Sequence, residues 1–162
     1  MQGRDALSAA DAAARLAALE DKEAIRDLIA RYGPLADAGD CAGAAALWTQ
    51  DGVYEVGGFG DYRGRAAIQA LLEGEAHQSL IGDGSAHVLG PPVIALDGDR
   101  AVARNHSVVF RNIGDHWVAH RASANVWHLA RTAEGWRVAR RINRLLDGLA
   151  EARALIGGKA DG

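Results

Sequence analysis

The chain has 162 residues, of which 49% are hydrophobic and 24% charged, a balance typical of one globular domain and unlike disordered, collagen or coiled-coil sequences. Eighteen Lys and Arg against 21 Asp and Glu leave a net charge of -3, which argues against electrostatic nucleic-acid binding by the chain as a whole. The single Cys41 rules out an internal disulfide and suits a reducing cytoplasm, and no apolar run approaches the roughly 20 residues of a membrane span.

The Ala-rich stretch from Met1 to Leu19 is interrupted by Arg4, Asp5, Asp11 and Arg15 and so lacks the apolar core of a secretory signal. From Asp11 to Ala36, residues Leu16, Leu19, Ile25, Leu28, Ile29, Tyr32 and Leu35 recur at mostly three- and four-residue steps, which predicts an amphipathic helix. Pro34 has no amide hydrogen and predicts a kink, with Asp37 just past the break. Gly39 and Asp40 read as a stop and an N-cap, followed by a short second helix over Cys41 to Trp48. Val53 to Val56 reads as a strand, the Gly57 to Gly60 cluster as a turn, and Gly64 to Glu75 as a third helix.

Beyond this point the texture becomes that of strands. Val88 to Leu96, Ala101 to Phe110, Trp117 to Leu129 and Trp136 to Leu146 carry β-branched or aromatic residues at alternate positions and are separated by turn signals. Four sequentially paired, antiparallel strands follow from this. Helices first and a meander second predict an α+β fold: a curved, mostly antiparallel sheet wrapped around the N-terminal helices as a cone with an internal pocket. One domain covers 1–162, with peripheral tails at about 1–15 and 150–162, the second beginning as a helix and fraying.

Several chemistries lack their signatures. The Gly58 to Arg63 turn has Arg63 where a dinucleotide fingerprint needs its third glycine, and no βαβ unit follows. There is no phosphate loop, nucleophile elbow or zinc helix. His116, His120 and His128 have no carboxylate at a spacing that would complete a metal site, so neither a metal nor another cofactor is expected.

What remains is a set of polar residues in unusual places. Tyr32 falls on the apolar stripe of the first helix, Asp37 follows Pro34, and His87 opens a long strand. Each also has a plain structural reading, as a core aromatic, a turn residue and a strand-end histidine. On the next strand, Asn105, Ser107 and Val109 share one face and Arg104, His106, Val108 and Phe110 the other, so either Asn105 or His106 could point into the pocket. Arg121, Asn125 and Trp127 alternate on the third strand; Arg140 or Arg141, Asn143 and Arg144 populate the fourth. Trp48, Tyr54 and Phe59 serve equally as pocket walls or as plain core.

The segment Ile25 to Tyr32, the stretch Leu47 to Tyr54, the Gly60-Asp61-Tyr62-Arg63-Gly64 turn and the strand opening Gly135 to Val138 resemble the SnoaL-like domain of the nuclear transport factor 2-like superfamily. Within it, the pattern is similar to scytalone dehydratase, bile-acid 7α-dehydratase and hexachlorocyclohexane dehydrochlorinase. These eliminate water or chloride without a cofactor. The resemblance implies an Asp/His dyad matching Asp37 and His87, a Tyr five residues before the Asp matching Tyr32, and His106 as the counterpart of a second catalytic histidine. Trp48, Tyr54, Phe59, Asn105, Arg121, Asn125 and Trp127 are then candidate substrate contacts. The implied function is a cofactor-independent, dehydratase-type lyase for a small, largely apolar cyclic or polyketide-like substrate, working as a dimer or trimer. A ketosteroid-type isomerase or cyclase on the same fold, or a non-catalytic binding module, are the alternatives.

Overall fold

The computed structural model describes residues 8–158. Ser8 caps the first helix, α1 (Ala9–Asp37), by accepting from the amide of Asp11. Only its C-terminal half is buried, through Ile25, Leu28, Ile29, Tyr32, Gly33 and Ala36. Pro34 lies inside the helix and does not end it, so Asp37 is the last helical residue rather than one just past a break. The chain then turns at Gly39, whose φ of 72° favours a residue without a Cβ. Asp40 caps α2 (Cys41–Ala45) through the Gly43 amide. This helix stops before Trp48, which instead opens β1 (Trp48–Val56).

The remaining elements are β2 (Gly60–Arg63), α3 (Arg65–Glu73), α4 (Glu75–Asp83), β3 (Ser85–Leu89), β4 (Val93–Asp97), β5 (Arg100–Asn112), β6 (Trp117–Thr132), β7 (Gly135–Leu145) and α5 (Ala150–Ile156). Among the described residues the strands form one seven-stranded sheet of order β2-β1-β7-β6-β5-β3, with β4 also paired to β5. The strand expected over Val88 to Leu96 is therefore two strands. Pro91 and Pro92 cannot donate to a ladder, and β3 and β4 lie beside successive stretches of β5 on either side of them. All pairings are antiparallel except β1 with β7, which is parallel.

Two bulges bend the long strands. Against β5 the register jumps from Val109↔Arg121 to Phe110↔Ala119, leaving His120 as the extra residue of β6. Against β6 it jumps from His128↔Arg140 to Leu129↔Val138, leaving Ala139 extra on β7. Each bulge increases local twist and re-aims the side chains beyond it. One face of the curved sheet packs on α1, where Ile25, Ile29, Tyr32, Trp48, Trp127 and Val138 belong to the main core. On the other face, α5 buries Ala152 and Leu155 against Ala124 and Val126 of β6. The part of the C-terminal tail within 150–156 is thus a packed helix; 159–162, like 1–7, lie outside the described residues.

Candidate active site

Asp37 ends α1 at the negative pole of the helix dipole, a position that disfavours a carboxylate. Three donors offset this. Ser85 Oγ donates to Oδ1 at 2.9 Å, the His87 amide donates to Oδ2 at 2.7 Å, and His87 Nδ1 lies 2.6 Å from Oδ1. An ionised carboxylate only accepts, so Nδ1 carries the proton and Nε2 of the neutral ring keeps its lone pair. The close approach of helix and strand depends on Gly33. A Cβ there would lie 2.1 Å from the His87 carbonyl oxygen.

His87 borders a cavity of about 390 Å³. Its apolar wall includes Val56, Leu71, Leu80, Leu89 and Leu145, and Tyr32 and Tyr54 face the same space. Tyr32 stacks edge-on to His87, with ring centroids 6.3 Å apart. Burial raises its phenol well above the usual range, Tyr54 adds to the effect and Arg141 opposes it. The hydroxyl therefore stays protonated and can donate. Arg141 is 2% exposed, its guanidinium lying 4.1 to 4.7 Å over the rings of Trp127, Tyr32 and Tyr54. Nε and Nη2 donate to Asn125 Oδ1, while Nη1 is buried without a hydrogen-bond partner among the described residues.

Not every expected site residue reaches the cavity. His106 points to the outer face and is exposed, because Asn105, Ser107 and Val109 take the inner positions of β5; its assignment as a second pocket histidine is thereby corrected. Asn105 and Asn125 do point inward but do not line the cavity. Asn105 accepts from Trp127 Nε1 at 2.9 Å, and Asn125 donates to Ser107 Oγ and accepts from Asn143 and Arg141. Trp48 and Trp127 are fully buried core, not pocket walls. Tyr54, Phe59 and Arg121 do line the cavity. Arg121 donates to the Gly57 carbonyl at 2.6 Å and to Asn143 Oδ1 at 2.7 Å, and sits over the Phe59 ring. Burial lowers its pKa, and the like charge of Arg141 adds to this.

Several lining residues were not foreseen from the sequence, His77 and Arg111 among them. His77 of α4 lies beside His87, centroids 5.6 Å apart. Its Nδ1 contacts the Leu72 carbonyl at 2.9 Å, and its Nε2 is buried and unpartnered among the described residues. The available signal was Ala76 and Leu80, one helical turn apart and both on the cavity, bracketed by Gly74 and Gly84.

The model of the SnoaL-like domain matches residues 17–142. An NTF2-like protein with a cystatin-like fold from Novosphingobium aromaticivorans is 54% identical over 95% of this chain and 99% of its own, with a TM-score of 0.90. A point variant of Rv3472 from Mycobacterium tuberculosis, a protein of unknown function, is 27% identical over 86% of this chain and 79% of its own, with a TM-score of 0.69. A protein from Catenulispora acidiphila in complex with S-DNPA is 24% identical over 80% of this chain and 94% of its own, TM-score 0.68, and supports the fold alone. No curated protein matches. On a family match spanning most of its length and the cystatin-like α+β architecture, the chain belongs to the SnoaL-like domain family.

Proposed function

We propose that this protein is a cofactor-independent lyase that eliminates water from a small, largely apolar cyclic or polyketide-like substrate. The observation that carries the reading is the 2.6 Å contact between His87 Nδ1 and Asp37 at the wall of an apolar cavity that Tyr32 also faces. Nε2 of His87 takes a proton from the carbon next to a substrate carbonyl, and the C–H electron pair passes into an enolate. Collapse of the enolate forms the C=C bond and breaks the β C–O bond. The leaving hydroxide takes the proton back from His87 and departs as water, so the ring returns to its neutral state. Asp37 fixes the tautomer and stabilises the transient imidazolium. Tyr32 donates to the developing oxyanion, with the Arg141 charge close behind its ring.

The geometry weighs against the alternatives. In a ketosteroid-type isomerase Asp37 itself would be the base, yet both its oxygens are engaged by Ser85 and His87. A plain binding module gives no reason for a carboxylate at a helix C-terminus held against a histidine. The test is turnover of cyclic β-hydroxy carbonyl compounds, followed by the absorbance of the new conjugated double bond. His87→Ala and Asp37→Asn should each lower the rate by about 10² to 10⁴ while circular dichroism stays unchanged. Full turnover in either variant overturns the dyad.

A further inference from the structure

Charge around the cavity is one-sided. Three guanidinium groups, Arg111, Arg121 and Arg141, line it beside His77, His87 and His120, and among the described residues no Asp or Glu does, in a chain whose net charge is -3. Arg111 is balanced by Asp83 at the rim. Arg121 and Arg141 are not: their acceptors are the Gly57 carbonyl and the neutral amides of Asn125 and Asn143, and neither meets a carboxylate among the described residues. A buried guanidinium is normally matched by an anion. Here Arg141 has aromatic faces, the neutral Tyr32 hydroxyl and an amide, and its Nη1 has no hydrogen-bond partner among the described residues.

The bulges explain how two such cations come together. The extra residue His120 lets both His120 and Arg121 border the cavity, where strict alternation would admit one. The extra Ala139 shifts the inward phase of β7 from Trp136 and Val138 to Arg141 and Asn143. Two separate backbone irregularities thus deliver positive charge to one apolar space.

We propose that the cavity is built for an acid: a small cyclic apolar body carrying one carboxylate, whose charge is met by Arg121 and Arg141. This adds a substrate class to the elimination reading and rests on it only in using the same cavity. The carboxylate supplies the missing counter-ion, and the apolar wall takes the ring.

The probes are 2-naphthoate and its neutral counterpart 2-naphthamide, titrated calorimetrically into the full chain. Naphthoate should bind at least about tenfold more tightly, the margin of one charge-assisted hydrogen bond. The margin should shrink as sodium chloride is raised and collapse in Arg121→Gln. If that variant does not fold, the salt series on the unaltered protein still decides. Equal affinities, no binding of either probe, or a preference indifferent to salt overturns the proposal. Displacement of naphthoate by an equal concentration of inorganic phosphate overturns it too, since the site would then be a general oxyanion site. Binding is read without turnover, so loss of the acid preference with turnover intact sinks only this inference. Turnover that survives His87→Ala with the preference intact sinks only the elimination.

Discussion

Nε2 of His77 is buried without a hydrogen-bond partner among the described residues, and the ring faces His87 and, beyond it, Asp37. Burial lowers its pKa below 6.5, the nearby His87 adds to this, and the Leu72 carbonyl and Asp37 pull the other way. Below the unfolded value the denatured chain therefore binds a proton that the folded chain declines. Stability rises with pH wherever the unfolded state holds more protons, so it is lost as pH falls through and below 6.5. Burial also lowers His128, and Arg140 and Arg104 reinforce it, so the same sign applies there. The expected outcome is a melting temperature that drops between pH 7 and pH 5, with His77→Gln flattening part of the slope; an unaltered slope in that variant would clear His77. At this scale Asp37, His87 and Tyr32 stood out in the sequence as polar residues in unusual places, and the family resemblance singled them out as candidates. His77 was not, because the helix carrying it has no fully buried residue and so only a faint periodic signal. The choice between Asn105 and His106 needed the phase of β5, which alternation leaves undetermined by one residue.

The contact between α1 and β3 turns on a single missing methyl group. Inside a helix, Ala is ordinarily better than Gly by about 1 kcal/mol. At position 33 the added Cβ would stand 2.1 Å from the His87 carbonyl oxygen, a backbone atom that can move only with its strand. Overpacking of this kind costs about 1 to 3 kcal/mol, so the substitution should reverse its usual sign. Gly33→Ala is expected to lower the melting temperature by roughly 2 to 4 °C per kcal/mol lost. Turnover should fall as well, because Asp37 lies one helical turn further along the element that must shift. Unchanged melting temperature and turnover would mean that the approach is looser than described. The helix, the third helix and the strand-rich second half were all readable from periodicity. The path through Pro34 was not, since packing of Tyr32 and Ala36 into the core outweighs a lost hydrogen bond. Nor were the bulges: one extra residue leaves no mark on composition, yet it decides that Arg141 rather than Arg140 enters the cavity, while Arg140 pairs with Glu55 on the other face.

Apolar residues stand on both faces of β6, the pattern of a strand that is covered on both sides. Part of that cover lies within the chain, since α5 buries Ala124 and Val126. Further along that face, among the described residues, apolar side chains stay exposed. Val88, Val108 and Ala122 stand in one cross-strand row, and Ala86, Phe110 and Ala119 in the next. Val88 is 50% exposed although its neighbour His87 faces the cavity, and Trp117 at the start of β6 is 53% exposed. Cross-strand apolar rows of this kind exceed the scattered single exposures normal on a monomer. A second copy meeting this face would cover the strand that carries His87 from behind and stiffen its hold on Asp37. We therefore predict a dimer or trimer by size-exclusion chromatography with light scattering. Val88→Lys, which places a charge in the middle of the row without touching the core, should give the 17.0 kDa monomer with its fold intact. An unaltered protein that runs as a monomer at micromolar concentration would mean that the outer face is used otherwise or left open.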